Sequence, residues 1–130
     1  MSYLLNIAQH LDDSSVGRST GRDKDIFVFN MPDRIDSGIL LKDAPLGTTI
    51  DQEIPGYFST EFYAIVRATE HAKGEALADT MSTALTVNES GLVAGLRVNF
   101  IRPRIIPMVF PVSDGDFIEL LVIFDINFTL

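Results

Sequence analysis

The sequence contains no cysteine, and that one absence removes disulfide staples, thiolate zinc sites and cysteine nucleophiles together. A basic surplus is missing as well, since ten Lys and Arg stand against eighteen Asp and Glu, for a formal net charge of -8. A module that reads DNA or RNA needs a cationic face for the phosphates, so this balance disfavours that class. Long apolar runs are also lacking. The longest, residues 120–124, stops between Glu119 and Asp125, far short of the ~20 residues that cross a bilayer. Residues 1–11 have no basic leader and are interrupted by Asn6, Gln9 and His10, so they read as mature protein and not as a secretory signal. An unsignalled, cysteine-free chain fits synthesis in a reducing cytoplasm. Finally, no Gly-rich phosphate loop occurs, because residues 14–17 and Thr20-Gly21 have neither the spacing nor the lysine of one.

What is present suffices for a packed fold. The chain has 130 residues, of which 46% are apolar, which implies a single domain over residues 1–130 and argues against disorder. Leu4, Ile7, Ala8 and Leu11 recur at helical spacing behind Ser2, a candidate N-cap. Residues 12–24 are a Ser/Gly/Asp-rich loop. Ile26 to Phe29 form a run of β-formers ended by Met31-Pro32-Asp33, and Ile39, Leu40 and Leu41 predict a second strand before a Pro- and Gly-containing loop over residues 43–56.

Between residues 57 and 85 the hydrophobic period changes. Phe58, Phe62, Ala64, Val66 and Ala68 alternate with a mixed face of Tyr57, Ser59, Glu61, Tyr63, Ile65 and Arg67, predicting a long strand. Leu77, Met81, Ala84 and Leu85 then follow helical spacing, with Ala72, Ala76 and Ala78 as small residues for close packing on a sheet and Thr69 as candidate N-cap. Gly74 predicts a late helix start or a close approach. After a turn at residues 88–91, residues 92–101 read as one strand with an irregularity at Gly95. Pro103, Pro107 and Pro111 predict an extended connection or edge segment. Asp114-Gly115 is a turn before the clearest strand, in which Ile118, Leu120, Val122, Phe124, Ile126 and Phe128 share one face. The predicted class is α+β: a mixed, mainly antiparallel sheet of about four to five strands with two helices packed on one face.

Each group that could carry chemistry has a plainer reading. Asp114, Asp116 and Glu119 offer too few oxygen ligands for a calcium loop. His10 and His71 lie near helix ends as solvated groups, and no serine has a His/Asp set around it. Asp12-Asp13, Asp23 with Asp25, and Asp33 with Asp36 occupy wet loops where nothing raises a carboxyl pKa. Neither a metal nor any other cofactor is therefore expected. Arg97, Arg102 and Arg104 with Phe100 suit pairing with carboxylates across a subunit contact better than binding single-stranded nucleic acid. Tyr57, Tyr63, Ile65, Leu121 and Ile123 are large for a water-facing sheet surface. Their cover is either a neighbouring subunit or the first helix with the Pro-rich loop.

Ile54-Pro55-Gly56-Tyr57, the strand from Phe62 to Ala68, Gly74, Leu77-Ala78, Ala84-Leu85 and the segment from Pro103 to Gly115 together resemble the tail terminator (tail completion, minor capsid) proteins of long-tailed bacteriophages. The resemblance covers residues 54–130 and the opening helix, and is weaker over residues 12–43. It implies a non-enzymatic virion protein, made in the bacterial cytoplasm and placed at the head-proximal end of the tail. Its implied partners are copies of itself in a ring, usually of six in that family, the tail tube protein and the head–tail connector. DNA passes through the lumen without sequence-specific binding, and no membrane is involved. Arg34, Tyr57, Tyr63, Arg67, Arg102, Arg104, Ile105 and Ile106 are the candidate subunit and partner contacts. The alternatives are another neck or head-completion protein, or a small-ligand-binding α+β domain using the sheet near Tyr57 and Tyr63.

Overall fold

The computed structural model of the chain describes residues 2–45, 47–109 and 117–130. Helix α1 (Tyr3–Asp13) is followed by β1 (Ile26–Val28), β2 (Gly38–Asp43), β3 (Tyr57–Ala68), α2 (His71–Leu85), β4 (Gly91–Val93), β5 (Leu96–Pro103), β6 (Met108–Val109) and β7 (Ile118–Thr129). The sheet has seven strands in the order β1-β2-β3-β7-β5-β4, with β6 also on β7, more than the four to five that the sequence predicts. Among the described strands only β1 and β2 run parallel.

Two differences account for the extra strands. Residues 92–101 form a hairpin, because Ala94 (φ 48°) and Gly95 (φ 86°) both adopt positive φ, as the two central residues of a type I′ turn require. An alanine there gives no signal in the sequence. The other addition is β6, whose two residues pair with Leu121 and Leu120. It lies end to end with β5, which pairs along the other half of β7 from Phe124 to Thr129. The extended Pro-rich segment thus becomes a sheet edge.

The centre of the sheet is the β3–β7 pair, in register from Tyr57 opposite Thr129 to Ala68 opposite Ile118. Alternation sends Phe62, Ala64, Val66, Leu120, Val122, Phe124, Ile126 and Phe128 to one face, where all are buried in a single cluster with both helices. Phe62 stacks on Phe124 at 5.2 Å between ring centres. Helix α1 contributes the stripe Tyr3, Leu4, Ile7, Ala8 and Leu11, and Ser2 caps it by accepting a hydrogen bond from the Leu4 amide at 3.2 Å.

Helix α2 begins later than predicted. Its N-cap is Glu70, not Thr69, and no side chain caps it. Ala78 is buried with Met81 and Leu85, but Ala72 and Ala76 face solvent. The close contact is supplied by Gly74 instead: a Cβ there would lie 2.6 Å from Leu120 Cδ1, so glycine lets the first turn rest against β7. The two helices are tied by His10, whose Nε2 lies 2.9 Å from the Ala84 carbonyl. It is therefore a bridging group and not a freely solvated one, whereas His71 is exposed beside Glu75.

Candidate functional site

With both helices on one face, the sheet's other face is the surface available for recognition, and strand register fixes its layout. From β2 to β5 its rows run Leu40–Ile65–Leu121, Lys42–Tyr63–Ile123, Glu61–Asp125–Arg102, and Ser59–Asn127–Phe100. Helix α1 lies on the opposite face, so it cannot cover Tyr63 or Ile123, which corrects the helix half of one predicted cover, while the Pro-rich segment does pair with β7 beside them. Ile65 and Leu121 are nonetheless buried within the chain.

Glu61 and Asp125 are directly opposed, a repulsive placement for like charges. Arg104 resolves it by ion-pairing with both, one guanidinium nitrogen to each. These partners hold its pKa above the usual arginine value, the hydrogen bond to Asp125 contributing most. Arg104 thus finds its carboxylates inside its own chain. At the far end of the same face Arg67 is buried: it ion-pairs with Glu119 at 3.4 Å, donates to the carbonyls of Pro32 (3.0 Å) and Ile35 (2.8 Å), and lies over the Phe117 ring. Its guanidinium closes loop 29–37 onto the sheet. A third polar device runs across the strands. Ser90 donates to Asn99 (2.9 Å), Asn99 to Asn127 (2.6 Å), and Asn127 to the Tyr57 hydroxyl (2.6 Å). Asn127 is only 3% exposed, so satisfying its amide is a condition of folding.

Beside these paired groups lies an open groove of about 860 Å³ lined by Pro45, Thr49, Glu61, Tyr63, Phe100, Arg102, Arg104 and Asp125, among others. Its volume falls within the roughly 300–1,000 Å³ of small-ligand sites. Arg104 pairs with both Glu61 and Asp125, so the trio keeps one net negative charge, and exposed Arg102 in the same lining carries the opposite sign. Arg102 is exposed and rests over the Phe100 ring at 4.6 Å. It leads into an apolar edge where Ile106 is 86% exposed and Met108 and Val109 are about half exposed.

The structure brings Tyr63, Arg102 and Arg104 together around the groove. Tyr57 is the end of the asparagine relay, and Ile106 and half-buried Ile105 lie on the edge segment. Arg34 is exposed on the separate loop that Arg67 holds. Sequence reasoning put Glu61, Asp125 and Asn127 on the mixed faces of their strands without naming them as site residues, and did not single out Asn99. Alternation places Glu61 and Asp125 on the mixed faces of their strands, but only the register opposes them.

On the helical side of the sheet, Tyr3, Phe58 and Phe128 line a second cavity of about 270 Å³ rimmed by Ser2, Asp43, Thr48 and Leu130. Tyr3 stacks against Phe128 at 4.7 Å and Phe58 against Phe128 at 5.3 Å. Burial, aided by the Asp43 carboxylate, pushes the Tyr3 hydroxyl well above the ordinary tyrosine pKa. Asp12, in the last turn of α1 and not in the loop where the sequence placed it, accepts from the Ser19 amide (3.0 Å) and hydroxyl (2.9 Å), which lowers its pKa.

Among the described residues no group of three or more His, Asp or Glu side chains could hold a metal ion; Asp114 and Asp116, with the turn at Asp114-Gly115, lie outside them. No described helix is long and apolar enough to cross a membrane. Residues 9–130 match the family model described as bacteriophage tail terminator protein. No curated protein matches the chain. Among solved structures, a chain of the virion of a native gene transfer agent particle is similar at 14% identity, with a TM-score of 0.67 over 95% of this chain and 92% of that one.

Proposed function

The chain belongs to the bacteriophage tail terminator proteins, and from that premise we propose that it forms a ring on the head-proximal end of the tail tube. The ring stops tube polymerisation and presents the surface to which the head connector binds. The subunit is thus a structural part of the virion and not an enzyme. The observation that carries this reading is the segment 105–109 at the β6 edge, where Ile106, Met108 and Val109 are exposed apolar side chains downstream of exposed Arg102. A single copy leaves that edge in water, and a lateral neighbour would cover it.

Charge supports the same reading. Arg97 and Arg102 are exposed on β5, while Asp23, Asp25, Asp33, Asp36, Asp51 and Glu53 lie in connecting segments outside helices and strands. Copies related head to tail can set one against the other, and a repeated rotation closes such contacts into a ring. Acidic segments turned toward the lumen would repel the DNA backbone and let it slide. The fold resemblance to a chain of a virion particle agrees with this role.

Electron microscopy of the purified full chain, alone and added to polymerising tube subunits, tests the proposal. Rings with a central hole, and tubes that stop growing once capped, are expected. Labelled chain found away from the head-proximal tail end in assembled particles would remove the reading.

A further inference from the structure

Ile106 is the most exposed large apolar residue described, at 86%. It stands between Pro103 and Pro107, whose fixed φ angles restrict the segment and lower the ordering cost of docking. It is a stiff apolar knob with an exposed cation, Arg102, upstream over the Phe100 ring. The aromatic cavity of Tyr3, Phe58 and Phe128 is its complement. At about 270 Å³ it lies below the roughly 300–1,000 Å³ range of small-ligand pockets and is suited to one inserted side chain. Its floor is apolar, with Tyr3 and Phe128 nearly inaccessible, and its rim carries the exposed carboxylate of Asp43. That carboxylate is close enough to help hold the Tyr3 hydroxyl protonated.

The two features cannot meet within one chain. The knob lies on the β6 edge beyond β7, while the cavity opens at the β2–β3 end on the helical side. We propose that Ile106 of one copy inserts into the Tyr3–Phe58–Phe128 cavity of the next, with Arg102 facing the Asp43 carboxylate. Knob and hole are different patches, so the contact is head to tail and leaves one knob and one hole free at the ends of any open chain. Repetition lets the series close on itself. This contact rests on the ring proposed above and identifies the surface that builds it.

The test exploits the absence of native cysteine. Ile106→Cys with Thr48→Cys in the full chain places one thiol on the knob and one on the rim, so mild oxidation should yield a ladder of cross-linked multimers. Arg102→Glu in that background should cut the ladder at least tenfold, and adding Asp43→Lys should restore it, which a merely structural role for either residue would not do. Mixing two cysteine-free variants gives a second readout. Ile106→Asp has an intact hole and Phe58→Asp an intact knob; each alone should be monomeric, and together they should stop at a heterodimer. Folding of both is checked by circular dichroism, and Thr48→Trp serves as the hole-blocking variant if Phe58→Asp unfolds. Wild-type rings seen by microscopy without cross-linking, or with unchanged assembly of Ile106→Asp, would overturn this contact and leave the ring standing. Neither rings nor cross-links, even with tube subunits present, would overturn both.

Discussion

Arg104 is the most informative residue to remove, because its ion pairs join strands whose own charges oppose one another. In Arg104→Ala, Glu61 and Asp125 stay directly opposed with no cation between them. Each exposed ion pair contributes about 0.2–1 kcal/mol, and an unrelieved like-charge pair across strands costs a similar amount. The Arg104, Glu61 and Asp125 side chains are 49%, 26% and 37% exposed, so water screens the cluster in part and leaves a loss of about 1–2 kcal/mol. For a domain of this size that corresponds to a fall of roughly 4–7 °C in Tm. Urea unfolding of the wild type, Arg104→Ala, Glu61→Gln and the double variant forms a cycle whose coupling should reach about 0.5–1 kcal/mol. The single variant should lose less at about 1 M salt, where the Debye length contracts to ~3 Å. Equal midpoints for wild type and Arg104→Ala at low salt, or a cycle with no coupling, would refute the bridging role. The same reasoning makes Arg102 the cleaner probe of assembly, since reversing charge at Arg104 disturbs the fold as well.

Two further outcomes follow from local geometry. Ala94 occupies the left-handed region at φ 48° beside Gly95, so Ala94→Asn creates the preferred Asn-Gly hairpin turn and should raise stability by about 0.5–1 kcal/mol; an unchanged or lower urea midpoint contradicts this. Asp12 has its pKa lowered by the Ser19 hydrogen bonds, so its folded pKa lies below its unfolded value. Its contribution is fully present above the unfolded value of about 3.9 and is lost as pH falls through the folded one. Acid unfolding of Asp12→Asn should therefore be flatter than wild type below about pH 4 and parallel to it near neutrality, and identical acid limbs would contradict the assignment.

The elements legible in the sequence were those whose period is set by one buried face. Helix α1 with its Ser2 cap, β3 and β7 follow from spacing because water and core impose opposite demands on alternate positions. The close approach at Gly74 was legible for a related reason, since glycine inside a helix calls for an explanation. The β4–β5 hairpin was not, because Ala94 turns the chain without any of the usual turn residues preceding Gly95. Nor was β6, since two residues carry no period. The sheet face away from the helices was legible in alternation and residue type, but its pairings were not. Tyr57, Tyr63 and Arg102 stand out as residue types, but the pairing of Arg104 with Glu61 and Asp125, and the relay from Ser90 to Tyr57, depend on strand register. That register joins positions dozens of residues apart and leaves no local trace.

The β3–β7 pair also has a consequence for how the subunit is made. These strands lie at the centre of the sheet, yet Ala68 and its partner Ile118 are separated by the whole of α2 and the β4–β6 region. While residues 118–129 are still unsynthesised, a nascent chain holds two half-sheets, each with a raw edge where β7 belongs, and the apolar face of β3 has lost its largest neighbour. Such high contact order slows folding and leaves the intermediates exposed to aggregation. The groove and the aromatic cavity both borrow residues from β7, so neither exists before that strand is in place.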